Sequence, residues 1–473
     1  MAKDPMLKFI SKPQAYPEKR AAQLRAEDFA EIAERYASDD AADQASRCSQ
    51  CGVPYCSVHC PLHNHIPDWL RLTAEGRLRE AYELSNLTST MPEICGRICP
   101  QDRLCEGNCV IEFSGHDAVT IGSVEKYITD TAWEQGWVEP VAVGPSRGQS
   151  VGIIGGGPGG LTTAEYLRVA GYDVHVYDRY DRMGGLLTYG IPGFKLEKDV
   201  VIRRVKRLED AGIHFHPNFE VGRDATLDAL RAKHDAVLIA TGVYKARAVS
   251  LPGGDLNGVV AALDYLTASN RKGFGDAVPA FESGALNAEC KNVVVIGGGD
   301  TAMDCVRTAI RQGAKSVKCL YRRDRENMPG SQREVANAEE EGVEFVWLSG
   351  PKGFEGNGKI ERVQVSKMRL GAPDASGRRA PENDPQGDFT LDADLVITAL
   401  GFEAEDLPVL FGAADLNVTR WGTIRVDHNT QMTNLDGVFA IGDIVRGASL
   451  VVWAIRDGRD VTQHMHNYLK SKA

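Results

Sequence analysis

Long apolar runs are missing from this sequence of 473 residues. No stretch approaches the ~18 consecutive apolar residues of a membrane-spanning helix, so no membrane partner is predicted. The first ten residues, MAKDPMLKFI, are too polar for a secretory signal peptide, and the expected location is cytoplasmic. Basic residues are also the minority, with 54 Lys and Arg against 65 Asp and Glu, a net charge of −11. This balance argues against nucleic acid as a partner.

Low-complexity tracts and short repeats are also missing from the chain. Apolar residues make up 43% of it and charged residues 25%, which is ordinary for a soluble protein with globular cores. The length alone suggests roughly three domains. The chemistry must therefore be sought in local motifs.

The cysteines are unevenly distributed, because eight of the eleven fall between Cys48 and Cys109. They form two blocks, Cys48-x2-Cys51-x4-Cys56-x3-Cys60-Pro61 and Cys95-x3-Cys99-Pro100-x4-Cys105-x3-Cys109. Thiolates at such short spacings, with proline after cysteine, are typical of 4Fe-4S clusters. Eight cysteines suggest two clusters. Zinc and disulfides are the alternatives, and a long chain without an export signal favours metal over disulfides.

The pattern of apolar residues divides the chain into two regions. Residues 1–145 are predicted to be mainly helical, since FAEIAERYA (from Phe29) and WLRLTAEGRLREAYELSNL (from Trp69) carry apolar residues three and four positions apart. From Ser150 onwards, short β-branched runs are followed by glycines, as in strand–turn–helix units. The clearest are VGIIGGG (from Val151), AVLIATG (from Ala236), VVVIGGG (from Val293), LVITALG (from Leu395) and VFAIGD (from Val438). GPSRGQS, from Gly144, is predicted as a linker, and the polar stretch 371–388 as an exposed loop.

The first glycine fingerprint, Gly155-x-Gly157-x-x-Gly160, directly follows the apolar strand VGII. It supplies a tight turn, a bare backbone against pyrophosphate and close helix–strand packing. Pyrophosphate then lies at the helix N-terminus, where free N–H groups point at it. The second strand, YDVHVYD, ends in Asp178, which is placed to accept a hydrogen bond from a ribose hydroxyl. We interpret this unit as the flavin site.

The second fingerprint is Gly297-Gly298-Gly299-Asp300-Thr301-Ala302, in which Ala302 replaces the third glycine. Its second strand, SVKCLY, is followed by Arg322 and Arg323 instead of an acid. Two guanidinium groups suit the 2′-phosphate of NADPH. The free ribose diol of NADH would lack the acidic side chain that usually accepts its hydrogen bonds. The alternative is a solvated basic pair with no nucleotide role.

A third segment, DGVFAIGDIVRG, predicts the second part of the flavin site. Asp443, after Gly442, could form a hydrogen bond to the ribityl–phosphate region of FAD. The stretch ASLVVWAIRDGR would begin a helix whose N-terminus faces the flavin pyrimidine. The order flavin half, NADP insert, flavin half over residues 150–473 resembles flavoprotein reductases such as thioredoxin reductase. Those enzymes need a CxxC pair in the NADP domain, which is missing here. The electrons are therefore expected to leave through the cysteine blocks.

The cysteine region itself resembles a known domain. RCSQCGVPYCSVHCP, MPEICGRICPQDRLCEGNCV and TIGSVEKYI are similar to the N-terminal domain shared by glutamate synthase small subunits, dihydropyrimidine dehydrogenase and the large subunits of NADH-dependent ferredoxin:NADP oxidoreductases. The resemblance implies two clusters with crossed ligands. One takes Cys48, Cys51, Cys56 and Cys109, and the other takes Cys60, Cys99, Cys105 and the side chain of Glu125. Cys95 is the alternative fourth ligand of the second cluster.

Over essentially its full length the chain resembles the glutamate synthase small (β) subunits. The resemblance is carried by DRMGGLLTYGIPGFKLEK, GGGDTAMDCVRTA, YRRDRENMPGS and GASLVVWAIRDGR, with Asp178 as a small departure where Glu is common. It implies an α/β fold in which a helical N-terminal iron–sulfur domain precedes two Rossmann-like domains, for FAD and NADPH, of the two-dinucleotide-binding flavoprotein type. The expected domains are residues 1–145 for the clusters, 146–254 and 401–473 for FAD, and 255–400 for NADPH.

The motifs and the resemblance together imply the binding residues. For FAD they are Gly155, Gly157, Pro158, Gly160, Asp178, Arg179, Gly184, Gly185, Leu186, Thr241, Gly242, Gly442, Asp443, Ser449 and Leu450. For NADPH they are Gly297, Gly299, Asp300, Thr301, Ala302, Arg322, Arg323 and Gly401. No side chain is predicted to be catalytic, because the hydride and electron chemistry belongs to the cofactors.

The implied activity is electron input. NADPH gives a hydride to FAD, and two 4Fe-4S clusters carry electrons to a large (α) subunit, which forms L-glutamate from L-glutamine and 2-oxoglutarate, in a hetero-oligomer. The chain itself lacks an N-terminal nucleophile for the glutaminase step, since Ala2 follows Met1. One alternative is a flavoenzyme that exchanges electrons with ferredoxin, and another is a noncatalytic redox scaffold.

Overall fold

The computed structural model describes residues 6–374, 379–384 and 387–472. Among these residues the N-terminal helices are α1 (Ala22–Arg25), α2 (Ser38–Ala45), α3 (Tyr55–His59), α4 (Ile66–Ala74), α5 (Leu78–Asn86), α6 (Pro92–Ile98), α7 (Val110–Phe113) and α8 (Ile121–Glu134). The later helices are α9 (Pro158–Val169), α10 (Leu186–Tyr189), α11 (Lys198–Asp210), α12 (Leu227–Lys233), α13 (Ala262–Gly273), α14 (Pro279–Glu282), α15 (Asp300–Arg311), α16 (Gln332–Glu340), α17 (Leu407–Leu410), α18 (Asp443–Arg446) and α19 (Val451–Lys472). Of the helices described, none has the length and apolar character needed to cross a bilayer.

The described strands belong to the second region of the chain. They are β1 (Ser150–Ile154), β2 (Asp173–Tyr177), β3 (His214–His216), β4 (Ala236–Ile239), β5 (Lys245–Ala246), β6 (Val259–Ala261), β7 (Asn292–Ile296), β8 (Ser316–Leu320), β9 (Glu344–Val346), β10 (Ser349–Glu355), β11 (Arg362–Pro373), β12 (Arg379–Asn383), β13 (Phe389–Asp392), β14 (Leu395–Thr398), β15 (Phe402–Glu403) and β16 (Val438–Ala440). The five strands predicted from the apolar runs are all present.

The N-terminal helices enclose their own small core. Helix α4 buries Ile66, Trp69, Leu70 and Thr73, which follow the three-and-four spacing of one helix face. Helices α6 and α8 approach so closely that a Cβ on Gly96 would lie 2.8 Å from the backbone nitrogen of Lys126. The glycine is therefore required where these two helices touch.

The helix predicted over residues 29–37 is wrong. This segment is extended, because the Arg20 amide donates to the Ile32 carbonyl and the Glu34 amide donates to the Glu18 carbonyl. Its apolar side chains contact other parts of the molecule, as when the Phe29 ring packs 6.3 Å from the ring of Phe194. Contacts with distant segments thus replace the intrahelical bonds that the periodicity suggested.

Two parallel five-stranded sheets form the framework of the second region, together with a four-stranded antiparallel sheet of β10 to β13. The first has the order β16-β4-β1-β2-β3 and the second β6-β14-β7-β8-β9. Every residue of β4 and of β14 is buried, as expected for inner strands covered on both faces. Strands β5 and β15 pair where the chain passes from one sheet to the other and returns.

The loop predicted over residues 371–388 is partly wrong. Strand β11 continues to Pro373 and pairs with β12, Arg369 facing Glu382, while β13 pairs with the other part of β11. The polar side chains of this segment face solvent. Its composition is therefore that of a loop, although its backbone is paired in strands. Residues 375–378 and 385–386 lie outside the described part of the chain.

A buried ion pair joins the helical region to the first sheet. Glu93 on α6 accepts two hydrogen bonds of 2.8 Å from the guanidinium of Arg204 on α11. Both side chains are almost fully buried, at 0% and 1% exposure. Near them Arg203 and Arg204 lie over the ring of Trp133, at 4.7 and 5.5 Å from its centroid. The pair therefore fixes α6 of the helical region against α11, a helix of the first sheet's domain.

We expect Glu93→Gln to lower the free energy of unfolding by about 3–5 kcal/mol, because it leaves the Arg204 charge buried without its partner. The effect is measured by denaturant unfolding of the holoprotein, monitored by the rise in flavin fluorescence as FAD is released. Glu83→Gln, in the exposed pair with Arg79, is the matched control and should change little. Equal midpoints for both variants would show that the buried pair contributes nothing specific.

Candidate functional site

The first fingerprint has the geometry of a pyrophosphate cradle. Gly155 adopts φ +110°, and a Cβ there would lie 2.4 Å from the Ala240 carbonyl oxygen. A Cβ on Gly160 would lie 2.0 Å from the Gly155 carbonyl oxygen, so α9 packs directly on the end of β1. At Gly157, by contrast, a Cβ would meet nothing within 4 Å. This open space lies at the uncapped N-terminus of α9, which suits an anionic group.

Asp178 lies directly after β2 and is held by the backbone. Its Oδ2 accepts from the Gly156 amide at 2.7 Å, and its Oδ1 accepts from the Tyr180 amide at 2.9 Å. Burial raises the pKa of this carboxyl, and the two backbone donors oppose the rise. Each oxygen keeps a second lone pair, so the carboxylate can still accept from a ribose hydroxyl.

The C-terminal segment closes the same cavity from the other side. Helix α19 crosses α9 in backbone contact, because a Cβ on Gly458 would lie 2.5 Å from the Gly159 carbonyl oxygen. The first residues of both helices, Pro158 and Val451, line the same cavity. Burial raises the pKa of Asp443 to about 6, and a hydrogen bond donated by the Ser449 backbone amide opposes the rise. Thr241 Oγ1 is buried there without a hydrogen-bond partner, so this hydroxyl fits a polar group of a bound cofactor.

Most of the predicted flavin residues come together in this cavity. Those that line it are Gly155, Gly157, Pro158, Asp178, Leu186, Thr241, Gly242, Gly442, Asp443, Ser449 and Leu450. Arg179 lines the adjoining cavity, where its guanidinium pairs with Glu405 at 2.9 Å. Gly160 packs α9 on β1. Gly184 donates to the Gly156 carbonyl oxygen, and Gly185 approaches Gly157.

The sequence motifs missed two side chains at the junction of these cavities. Tyr244 lines both of them, and the Arg179 guanidinium lies 4.8 Å from its ring centroid. Glu405 belongs to the returning segment after the second sheet and pairs with Arg179. Neither residue stands in a recognisable motif, so no local signal could have identified them.

The second fingerprint repeats the cradle on β7 and α15. Gly297 has φ +148°, and a Cβ there would lie 2.4 Å from the Ala399 carbonyl oxygen, while Gly299 again borders open space. The neighbouring cavity has a volume of about 670 Å³. Asp300 does not line it, since its Oδ1 accepts from the Ser331 amide at 2.9 Å. Ala302 is fully buried in the packing of α15.

Arg322 and Arg323 both line this cavity. Arg322 is exposed, and its guanidinium forms no ion pair or hydrogen bond within the described residues. Arg323 is 9% exposed, and its Nε is buried without a partner. Cationic donors left free at the end of the second strand fit a 2′-phosphate. Of the remaining predicted residues, those that line the cavity are Gly297, Gly299, Thr301 and Gly401.

The thiols assigned to the first cluster lie near one another. Cys48, Cys51, Cys56 and Cys109 influence one another electrostatically although Cys109 is 53 positions or more from the others. Burial raises the pKa of Cys48 to about 11 and that of Cys56 to about 12. All eleven cysteines are free thiols.

The second set gathers the remaining thiols around one carboxyl. The electrostatic partners of Cys60, Cys99 and Cys105 include Glu125 in each case. Burial, followed by the charge of Glu93, raises the pKa of Glu125 to about 8, and Asn64 donates to it at 3.1 Å. Cys95 lies close enough to Cys99 for a hydrogen bond between the thiols. Both candidates for the fourth ligand are therefore adjacent to the three cysteines.

One further cavity, of about 220 Å³, borders all three sites. It is lined by Cys99 of the second thiol set, by Ser449 and Leu450 of the flavin cavity, and by Thr301 of the second fingerprint. Arg333 also lines it, and its guanidinium pairs with Glu106 at 2.6 Å. A nucleotide, a flavin and a cluster bound at these sites would thus be neighbours, with little protein between them.

Two protein-family models match the chain. The first, described as dihydropyrimidine dehydrogenase domain II, 4Fe-4S cluster, matches residues 25–137. The second, described as pyridine nucleotide-disulphide oxidoreductase, matches residues 149–458, more than half of the chain.

Curated relatives identify the family more closely. The glutamate synthase (NADPH) small chain of Azospirillum brasilense is 67% identical over 473 residues, which is 100% of this chain and 98% of the relative. This chain belongs to the glutamate synthase (NADPH) small-chain family. The small chain of Escherichia coli K12 is 46% identical over 471 residues, and the alignment covers 98% of both chains. The predicted family and the oxidoreductase class are confirmed.

A solved structure supports the fold of this small-chain family member. FprA of Mycobacterium tuberculosis in complex with NADPH aligns with a TM-score of 0.58 and 22% identity, covering 69% of this chain and 85% of that chain. Together with the two family models, it confirms the predicted fold class, an iron–sulfur domain followed by a two-dinucleotide flavoprotein. The predicted cofactors, FAD, NADPH and 4Fe-4S clusters, are confirmed at the level of these domains. The individual ligands stay predictions.

For this small-chain family member we expect about eight iron and eight sulfide per chain, because each 4Fe-4S cube contributes four of each. Iron, sulfide and flavin analysis of the anaerobically purified holoprotein provides the measurement, with one FAD expected. Cys105→Ser should remove about half of the iron, whereas Cys290→Ser, at an exposed cysteine outside both sets, should remove none. Zinc in place of iron would contradict the cluster assignment.

Replacing both Arg322 and Arg323 with Gln should weaken NADPH binding and leave NADH nearly unchanged. Charge-assisted hydrogen bonds are worth ~1.5–3 kcal/mol, which is about 10-fold to 150-fold in affinity for each arginine. The measurement is KM for both coenzymes in dye reduction. Arg325→Gln is the matched control, since Arg325 pairs with Glu339 and does not line the cavity. Equal losses with both coenzymes would mean that the pair is structural.

Proposed function

We propose that this chain is the NADPH-oxidising electron-input subunit of glutamate synthase, bound in a hetero-oligomer to the large (α) subunit that forms L-glutamate from L-glutamine and 2-oxoglutarate. The proposal is supported by the small-chain family, whose members carry that printed name. The observation that carries it is the cavity bordered by Cys99, Leu450 and Thr301, where the three sites meet. An enzyme that only moved hydride would need no thiol set there.

The proposed division of the chain follows from its sheets. Residues 1–145 hold the clusters, residues 146–254 and 401–473 hold FAD, and residues 255–400 hold NADPH. The first sheet takes four strands from the earlier flavin segment and β16 from the later one, which supports the division. The second sheet takes all five of its strands from between them.

In this function the flavin supplies the conversion of one hydride into two separate electrons. The chain's own residues hold and orient it. The N-termini of α9 and α19 present free amides to negative charge, and Gly157 leaves room for pyrophosphate. Asp178 anchors the ribose, and Asp443 also lines the cavity, where its carboxylate accepts a hydrogen bond from the Ser449 backbone amide.

On the nucleotide side the residues select the coenzyme. Gly297 and Gly299 allow the pyrophosphate to approach the backbone, and Arg322 and Arg323 bind the 2′-phosphate. Asp300 instead connects domains, because its Oδ2 accepts from Arg103 of the helical region at 3.2 Å. That contact holds α15, whose N-terminus carries the fingerprint, against the iron–sulfur domain.

The two thiol sets hold the clusters through which electrons leave the chain. We assign Cys48, Cys51, Cys56 and Cys109 to one cluster and Cys60, Cys99, Cys105 and Glu125 to the other. Support for Glu125 comes from its proximity to all three of the second set's thiols. Cys95, which is 6% exposed and near Cys99, is the alternative ligand. The second cluster borders the flavin side, which makes it the entry point for electrons.

The test separates hydride entry from electron exit. Alone, the chain should oxidise NADPH with an artificial acceptor that takes electrons from flavin, and should form no glutamate. Addition of the large subunit should give glutamate from glutamine and 2-oxoglutarate. Cys99→Ser should abolish glutamate formation while dye reduction survives, because residues 150–473 hold both nucleotides.

Cys290→Ser serves as the control and should retain both activities. Glutamate formation by the isolated chain would overturn the subunit assignment. Efficient reduction of ferredoxin, with no response to a large subunit, would favour the alternative electron-transfer flavoenzyme.

A further inference from the structure

The edge of the first sheet carries histidines that the proposed electron path does not use. Asp173 and His175 lie two residues apart on β2, so their side chains share one face of the sheet. His214 on the edge strand β3 is the direct neighbour of His175 in the parallel ladder. Strand alternation and register therefore place three side chains with metal-binding atoms side by side.

The distances between these side chains match a coordination shell. Asp173 Oδ2 lies 3.2 Å from His175 Nε2, and Asp173 Oδ1 lies 3.3 Å from His214 Nε2. The three ligand atoms all lie within 4.8 Å of one another. Tetrahedral zinc with bonds of about 2.0–2.1 Å separates its ligand atoms by about 3.3 Å. A small inward adjustment of the two rings would therefore complete a three-ligand site.

A second layer of contacts orients the central ligand. His216 Nε2 lies 3.0 Å from His175 Nδ1, the ring nitrogen on the side away from Asp173. The His175 ring stacks on those of His214 and His216, with centroids 4.7 and 5.3 Å apart. Metal-bound imidazoles usually use their second nitrogen in such a bond, which fixes the tautomer and the ring plane.

Solvent reaches the three side chains. Asp173 and His214 are 52% and 55% exposed, and His175 is 18% exposed. A cation could therefore enter from solution, and water could fill the fourth position. Two imidazoles and one carboxylate favour zinc and similar transition metals over magnesium or calcium, which prefer oxygen ligands alone.

We propose that Asp173, His175 and His214 bind a divalent transition-metal ion such as Zn²⁺, with His216 as a positioning residue for His175. The ion would join the short edge strand β3 to β2. His175 lies three residues before Asp178, so about 10 Å separates the metal site from the flavin cavity at about 3.3 Å per residue, and none of the three ligands lines that cavity. Metal binding should therefore leave NADPH-dependent dye reduction unchanged.

Equilibrium dialysis of the holoprotein, with FAD and clusters bound, against Zn²⁺ tests the proposal. Elemental analysis should find one zinc per wild-type chain that is absent from Asp173→Asn and from His214→Ala. Titration calorimetry of His216→Ala should show affinity lowered by about 10-fold to 100-fold, as for other residues that orient a metal ligand. His428→Ala, at an exposed histidine elsewhere in the chain, is the control and should bind like the wild type.

Both tested ligands are exposed, and flavin content and circular dichroism confirm that each variant is folded. If His214→Ala fails to fold, Asp173→Asn, which keeps the size and shape of the side chain, decides alone. Zinc bound equally by the wild type and by Asp173→Asn would overturn the proposal. The absence of bound zinc in the wild type would also overturn it and would leave a hydrogen-bonded histidine cluster.

Discussion

Glu93 and Arg204 are opposite charges buried together where α6 of the helical region meets α11 of the flavin region. Helix α6 carries Cys95 and is followed by Cys99, so the position of the second thiol set depends on how this helix is docked. Burying two charges costs desolvation energy, and only a bidentate geometry offsets it. A shifted α6 would leave both charges unpaired, so the pair specifies one alignment of the cluster region against the flavin cavity.

A comparable arrangement holds the second sheet's domain. Glu341, at the end of α16, is fully buried and pairs with Arg307 and Arg311 of α15. Arg25 of the helical region approaches the same carboxylate at 3.6 Å. Arg333, in the first turn of α16, extends to Glu106 beside the thiols. The iron–sulfur region is therefore fixed to both nucleotide domains, which keeps the small cavity between the three sites narrow.

Local patterns were sufficient where the chemistry depends on neighbours in the chain. Gly155 and Gly157 act within a single turn, and the strand before them is one continuous apolar run, so spacing predicted both fold and cradle. The function of the cysteine blocks could be predicted equally well, because the short spacings between the cysteines limit which groups their thiolates can bind. The crossed ligand pattern and Glu125, however, came from resemblance to a family and not from spacing.

The sequence by itself determined the strands, the two nucleotide cradles and the two clusters of cysteines, since each depends on residues that are close together in the chain. Tertiary structure alone decided the conformation of residues 29–37, where pairing with residues 18–20 replaced a helix. It also brought Tyr244 to the flavin cavity, Glu405 to the adjoining cavity, and His214 beside His175. These outcomes depend on which distant segments meet, and the free energy of such contacts exceeds local backbone preference.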